Sequence, residues 1–230
     1  MTRLISFLAH AVYMGTPLLF GTVGEIQNEK AGHLNLGVEG TMAMGACAGF
    51  MVAYKTGSLW LSILAAFLMG ALVSLIYAFL TITMMANQNV TGLTLTIFGT
   101  GLSNFIGEQM ISASPTGNLK LPDGVISSLK NIDIPLLSKI PVLGEVLFSQ
   151  NIFTYLSIVI AVIMFIYLKK TKVGLNLRTI GENPAVADAV GISVVKYKYI
   201  NVLIGGGICG IGGAFCSMVI NLSLIHISEP

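Results

Sequence analysis

Apolar residues in this chain gather into long runs, and polar residues gather in the joints between them. Six apolar runs stand out, near Leu4–Val23, Leu34–Tyr54, Leu59–Met85, Thr91–Ile106, Ile152–Leu168 and Tyr199–Ile220. A helix needs about 20 residues to cross about 30 Å of hydrocarbon. The runs are too long and alternate too poorly for barrel strands, so each is expected to be a helix. The joints are Gly24–His33, Lys55–Ser58, Asn87–Asn89, the long Glu108–Asn151 segment with four of the seven prolines, and Lys169–Lys198. The pattern predicts an all-α protein: a polytopic transmembrane helical bundle of about six spans, forming one membrane domain over residues 1–221.

Composition agrees with the pattern. The chain is 54% hydrophobic and 10% charged, with mean hydropathy +0.85, against about 25% charged residues in soluble domains. The net charge of +2 adds little, but its distribution matters. Six of the twelve basic residues (Lys169, Lys170, Lys172, Arg178, Lys196 and Lys198) lie in one joint with only Glu182 and Asp188 against them. Clustered Lys and Arg beside apolar spans mark the cytoplasmic side. Counting spans back from that loop places Glu108–Asn151 and the N-terminus outside. The first run is expected to stay as an uncleaved span, because its apolar core before Ala9-His10-Ala11 is short for a signal peptide.

Inside the basic loop a short helix is spelled out. Asn183 suits the N-cap, Pro184 the first helical position, and Gly191 the left-handed residue beyond the end. Val186, Ala189 and Val190 recur at helical spacing and make a small apolar face. A two-turn helix held at the membrane surface by two spans has the form of a docking element for another protein.

Catalytic chemistry is not written here. Cys47, Cys209 and Cys216 lie in apolar runs and read as packing residues, and His10, His33 and His226 have no ligand spacing, so no metal is expected. Gly205–Gly210 matches G-x-G-x-x-G literally, but inside an apolar span and without the following acid of a dinucleotide fold. Gly206, Gly210 and Gly213 read instead as small residues that let helices approach closely. No P-loop occurs, and no nucleophile, base or paired-acid arrangement. The chain is expected not to be an enzyme and to need no cofactor.

Two polar groups are candidates for a substrate pathway. Asn35 and Glu39 stand where the second apolar run begins, four apart, with Gly37 and Gly40 able to loosen a helix there. A charge at mid-bilayer costs about 2.5–3.5 kcal/mol and usually faces a cavity or partner; alternatively the pair sits at a helix end and bonds backbone. Asn87, with Gln88, Asn89 and Thr91, reads as a polar patch on a pathway or as a plain turn between helices. Asn104 and Glu108 share a face, or mark an exposed helix end.

These residues carry a resemblance. GHLNLGVEGTMAMGACAG is similar to the N-terminal motif of permeases in the branched-chain amino acid and ribose group of ABC importers. GLNLRTIGENPAVADAVGISVVKYK, followed by a Gly-rich span, resembles that group's cytoplasmic loop. TGLTLTIFGTGLSNFIG and IPVLGEVLFSQNIFTYL are similar to its nucleoside or simple-sugar subgroup. His33-Leu34 stands where the group usually has two aliphatic residues. The resemblance implies a permease subunit in a bacterial plasma membrane, with Lys169–Lys198 cytoplasmic. It would pair with itself or a second permease, bind an ATPase with duplicated cassettes, and receive substrate from a binding lipoprotein; no nucleic acid is implied. Asn35, Gly37, Glu39 and Gly40 would carry the first motif, and Gly181, Glu182, Asn183, Pro184, Ala187 and Gly191 the ATPase-coupling loop. Substrates would be nucleosides or simple sugars, with branched-chain amino acids the alternative. A stand-alone secondary transporter would need inverted repeats or ion-pair networks within the spans, and none is found. Leu222–Pro230 resembles translated sequencing adapter, so a native sequence ending near Asn221, with a C-terminal portion missing, is expected.

Overall fold

The computed structural model describes residues 2–113, 120–130, 132–133, 146 and 148–220. Leu222–Pro230 and much of the Glu108–Asn151 segment lie outside these. The described chain is built on helices: α1 (Thr2–Lys30), α2 (Val38–Thr56), α3 (Leu59–Ala78), α4 (Gln88–Ala113), α5 (Asp123–Ser128), α6 (Ile152–Lys170), α7 (Lys172–Glu182), α8 (Pro184–Ala189) and α9 (Val194–Phe215). π-helical turns at Phe79–Thr83 and Cys216–Ile220 extend α3 and α9. Ile132–Asp133 and Ser149–Gln150 form a two-residue antiparallel strand pair.

α9 is the axis. Its residues from Gly205 to Phe215 are all buried, and α1, α2 and α3 pack around it. Small side chains make this close approach possible. A Cβ on Gly210 would run into the Ala66 carbonyl of α3, and one on Gly213 into the Met42 carbonyl of α2. Gly206 lies against Ser74 and the Gly70 carbonyl. Without hydrophobic driving force between helices in lipid, such backbone proximity is what holds spans together. Larger side chains fill the end of the bundle remote from the basic loop, where Phe215 meets Tyr13 and Phe153 edge-on at 5.4 and 5.7 Å between ring centroids.

Contacts fix the direction of every long helix. Tyr13 donates to the Val219 carbonyl at 3.1 Å, and Gln27 donates to Asn201, so α1 runs antiparallel to α9. Ser217 donates to the Ala46 carbonyl at 3.1 Å while Gly45 lies on Gly210, so α2 runs parallel to α9. α3 returns, with Ser62 donating toward Met218 at one end and Ser74 against Gly206 at the other. α4 follows α2, Gly92 lying on Leu36 and Ser103 donating to the Ala43 carbonyl at 2.9 Å. α6 runs with α1, joined by Thr16 and Thr154 at 3.0 Å. The six long helices therefore alternate, and the start of α1 lies at the end opposite the basic loop.

Among the described residues, four helices are long and apolar enough to cross a membrane: Leu4–Lys30, Leu59–Thr83, Ile152–Lys170 and Val194–Ile220. Their outward faces are greasy, as with Leu64, Leu68 and Leu72 on α3 and Val162, Ile163 and Ile166 on α6. α2 and α4 have 19 and 26 residues but are not among these four. Their Gly, Ala and Thr residues suit contact with other helices better than contact with lipid.

Three expectations change. The polar stretch from Gly24 does not break the first helix, which continues to Lys30. Its polar groups find partners instead: Asn28 donates to Glu25 at 3.0 Å, and Gln27 reaches Asn201. The helix stops at Gly32, whose φ of +81° is left-handed. Asn35 and Glu39 do not share a helical face, because α2 begins only at Val38. The basic loop holds two helices, not one. α7 was hidden in a polar sequence because only Gly174, Leu177 and Ile180 of its eleven residues are buried, a narrow stripe at helical spacing.

Candidate functional site

Asn35, Glu39, Asn87 and the Gly181–Gly191 residues gather at the basic end of the bundle, while Gly206, Gly210 and Gly213 lie inside it along α9 and Asn104 and Glu108 toward the far end of α4. The motif segment His33–Gly37 forms a short connection in which alternate residues point in and out. His33, Asn35 and Gly37 are buried, while Leu34 and Leu36 are exposed. Four side chains from three helices grip it. Glu25 of α1 accepts from the Asn35 N–H at 2.7 Å, and Gln88 of α4 accepts from the Leu34 N–H at 2.8 Å. Tyr77 of α3 donates to the Leu34 carbonyl at 2.8 Å, and Thr96 of α4 to the Leu36 carbonyl at 3.0 Å. Asn35 closes its own turn, its side-chain oxygen accepting from the Gly37 N–H at 2.9 Å.

That grip explains the glycines. A Cβ on Gly37 would lie 3.0 Å from the Gly92 carbonyl oxygen, and a Cβ on Gly92 3.0 Å from the Gly37 nitrogen. One turn further along, a Cβ on Gly99 would meet the Gly40 backbone, and one on Gly40 the backbone of Leu95 and Thr96. Glu39 sits in the first turn of α2 with its side chain exposed, where a carboxylate is favoured by the helix dipole. Asn87 caps α4, accepting from the Asn89 and Val90 N–H groups at 3.0 and 3.2 Å. Asn35 is thus spent on backbone, Asn87 on a cap, and Glu39 is the one of the three with an exposed side chain and no hydrogen bond of its own in this network.

His33 is 3% exposed, and neither ring nitrogen has a hydrogen-bond partner among the described residues. It meets Tyr77 edge-on with centroids 6.5 Å apart. Burial, with Lys198 adding like charge, pushes its pKa down to about 4, so the imidazole is neutral at physiological pH.

The second cluster is the α7–α8 segment. Asn183 caps α8, its side-chain oxygen accepting from the Ala185 and Val186 N–H groups at 3.2 and 3.3 Å. Pro184 opens the helix, and Gly191 follows it at φ +79°. The six-residue helix turns Ala187 inward, fully buried, and leaves Val186 52% and Val190 68% exposed. Glu182, Asn183 and Pro184 are exposed as well. Gly181 is the link between the two clusters. A Cβ there would lie 2.5 Å from the Lys30 carbonyl oxygen, and one on Gly32 would lie 3.3 Å from the Gly181 Cα. The last turn of α7, which leads into α8, therefore rests directly on the turn that leads into His33–Gly37.

One further feature escaped the motifs. Along α4, Thr94, Ile97, Gly101, Asn104 and Glu108 are all exposed and follow one another at three- and four-residue spacing, a single uncovered stripe with polar groups toward its far end. The signal lay in the Asn104–Glu108 pair, which also fits an exposed helix end until the helix is seen to run to Ala113. No group of His, Cys, Asp and Glu among the described residues could hold a metal.

The chain matches the family described as branched-chain amino acid transport system / permease component over residues 7–226. It is 34% identical over 221 residues to the nucleoside ABC transporter permease protein NupC of Lactococcus lactis, covering 93% of this chain and 68% of that protein. To the guanosine ABC transporter permease protein NupQ of Bacillus subtilis it is 34% identical over 232 residues, covering 97% and 71%. To the "Putative glucose ABC transporter permease protein TsgC13" of Haloferax volcanii it is 35% identical over 207 residues, covering 90% and 61%. The chain thus spans between 61% and 71% of the length of these relatives. No solved structure shows a significant match.

Proposed function

We propose a function for this chain on the ground that it belongs to the permease-component family of branched-chain amino acid transport systems. It is the transmembrane permease subunit of an ATP-binding cassette importer, not an enzyme, and its cargo is a nucleoside or a simple sugar. The relatives named for nucleoside, guanosine and glucose transport support the cargo class. All six long helices cross a bacterial plasma membrane, with the basic end in the cytoplasm and the start of α1 outside. Partners are an ATPase with duplicated cassettes on the cytoplasmic side, a substrate-binding lipoprotein outside, and a second permease.

The observation that carries the coupling role is the capped α8 with Val186 and Val190 exposed at the basic end. An apolar face of this kind has no partner among the described residues and suits a groove on an ATPase. Gly181, Glu182, Asn183, Pro184, Ala187 and Gly191 shape that face, and Gly181 passes its movement to Gly32. From there the gripped segment His33–Gly37 tilts α2 against α4, whose glycines slide on each other. The corridor runs along the uncovered stripe of α4 and past Glu39, between this subunit and its partner. Gly206, Gly210 and Gly213 hold the inner helices as one body during that motion. The chain supplies mechanical coupling and a path, while ATP chemistry belongs to the partner.

The test is uptake by the full-length transporter reconstituted with its ATPase and binding protein. Val186→Asp is expected to cut transport-coupled ATPase activity about ten-fold or more, since an unpaired carboxylate in an apolar contact costs several kcal/mol. Unchanged coupling would refute docking through α8. Ala187 is unsuitable for this test, because it is buried and its substitution would disturb the fold. Competition by nucleosides, glucose and branched-chain amino acids in the same assay identifies the cargo, and inhibition by leucine alone would overturn the proposed class.

A further inference from the structure

On the outer face of the basic end, α1, α6 and α7 enclose a groove of about 340 Å³. Ile26, Ala161, Met164 and Leu168 line it, and Lys30, Lys169 and Arg178 also border it. The fold builds this arrangement. Gly181 seats α7 on the Lys30 carbonyl, and Gly174 seats it on the carbonyls of Tyr167 and Leu168. Arg178 lies one turn before Gly181 and is carried to the same side. Three cations from three helices thus converge where an apolar channel begins. The Arg178 Nε is buried and has no hydrogen-bond partner among the described residues. Lys169 bends over the Phe165 ring, 5.1 Å from its centroid.

We propose that this groove is a binding site for an anionic phospholipid, its phosphate held by Lys30, Lys169 and Arg178 and one acyl chain lying along Ile26, Ala161 and Met164. A groove with an apolar floor and a cationic rim matches a lipid that is apolar below and anionic above. A soluble anion would leave the floor wet, and an apolar protein segment would leave three cations unpaired. Basic pockets between spans at the cytoplasmic surface suit such headgroups, and Arg presents its donors in a fork that fits phosphate. The site rests on the reading that places this end at the cytoplasmic leaflet only for which leaflet supplies the lipid. Binding measured in detergent is independent of orientation and of coupling, so the two can fail separately.

The experiment is native mass spectrometry of the purified, delipidated chain in a neutral detergent, titrated with phosphatidylglycerol or phosphatidylcholine of matched acyl chains. The wild type is expected to retain phosphatidylglycerol in preference. Lys169→Gln with Arg178→Gln should lower that preference about ten-fold or more, at about five-fold for each cation lost. Lys172→Gln with Lys196→Gln removes the same charge from the same end outside the groove and should change nothing. Met164→Trp, which fills the apolar floor and leaves the cations in place, should also abolish retention. Thermal unfolding of each variant confirms that it is folded. Equal loss in both double variants would overturn the site, since only general charge would then be at work. Full displacement of the lipid by inorganic phosphate, with Met164→Trp still binding, would reduce it to a phosphate contact. A dimer that dissociates in the groove variants would assign the face to a second copy instead.

Discussion

His33 shows how one residue can be placed by its surroundings and not by its chemistry. Its imidazole is buried beside Tyr77 with its pKa lowered to about 4. Between the unfolded value near 6.5 and the folded value, the unfolded chain binds a proton that the folded chain does not. Stability is therefore expected to be full above pH 6.5 and to fall as pH drops from 6.5 toward 4. His33→Phe should flatten that slope, and denaturation midpoints across this pH range in detergent would check it. The glycines give a second residue-scale prediction. Gly213→Ala places a methyl on the Met42 carbonyl, and overpacking of this kind costs about 1–3 kcal/mol. A lowered melting temperature is the expected outcome, whereas Gly101→Ala, with open space around it, should be nearly neutral.

At the scale of elements, caps and ties decide which helices hold their positions. α8 has six residues, too few to be stable alone. Its cap is therefore a large share of its local stability, and Asn183→Ala should cost about 1 kcal/mol. Faster amide exchange confined to Ala185–Val190 would show it. The tie between α1, α6 and α9 is Asn201, which accepts from Gln27 and from Tyr167 at 3.0 Å and donates to the Tyr197 carbonyl at 2.7 Å. Asn201→Ala strands the buried Gln27 amide, at about 1–3 kcal/mol for a buried donor, and frees the half-buried Tyr167 hydroxyl. Asn201→Asp keeps the acceptor but sets an oxygen against the Tyr197 carbonyl at a buried site, so it should be destabilised as well, as thermal unfolding would show. The cap and turn of α8 were legible in Asn183, Pro184 and Gly191, because caps are local. α7 was not legible, because its three buried residues face α1 and α6, and nothing in a polar sequence says which face another helix will cover.

For the whole molecule, the alternation of six long helices puts Lys55 and Lys196 at opposite ends of the bundle. In a chain cleared of Cys47, Cys209 and Cys216, Lys55→Cys is expected to react with a membrane-impermeant maleimide on intact cells. Lys196→Cys should react only after permeabilisation, and the reverse pattern would invert the topology. At this scale the structure also separates two kinds of apolar surface. Leu64, Leu68 and Leu72 of α3 and Val159 and Val162 of α6 face outward, as suits lipid contact, while α9 is wrapped on several sides by other helices. The same distinction shows in the glycines of α2, which lie against α4 and α9, and in Gly92 and Gly99 of α4, which lie against the α2 motif.

By itself the sequence determined what depends on local and additive physics. Long apolar runs demanded helices because lipid offers no hydrogen-bond partners, the skew of Lys and Arg distinguished one end from the other, and Asn183 to Gly191 spelled a capped turn. Only the tertiary structure decided what depends on which groups meet. It carried α1 through Glu25 and Gln27 because Asn28 and Asn201 were there to receive them, and it pulled Asn35 off the helix into a turn of its own. It also brought Lys30 to Lys169 and Arg178, which lie more than a hundred residues further along the chain. Such meetings are set by the packing of whole helices, and no window of sequence contains them.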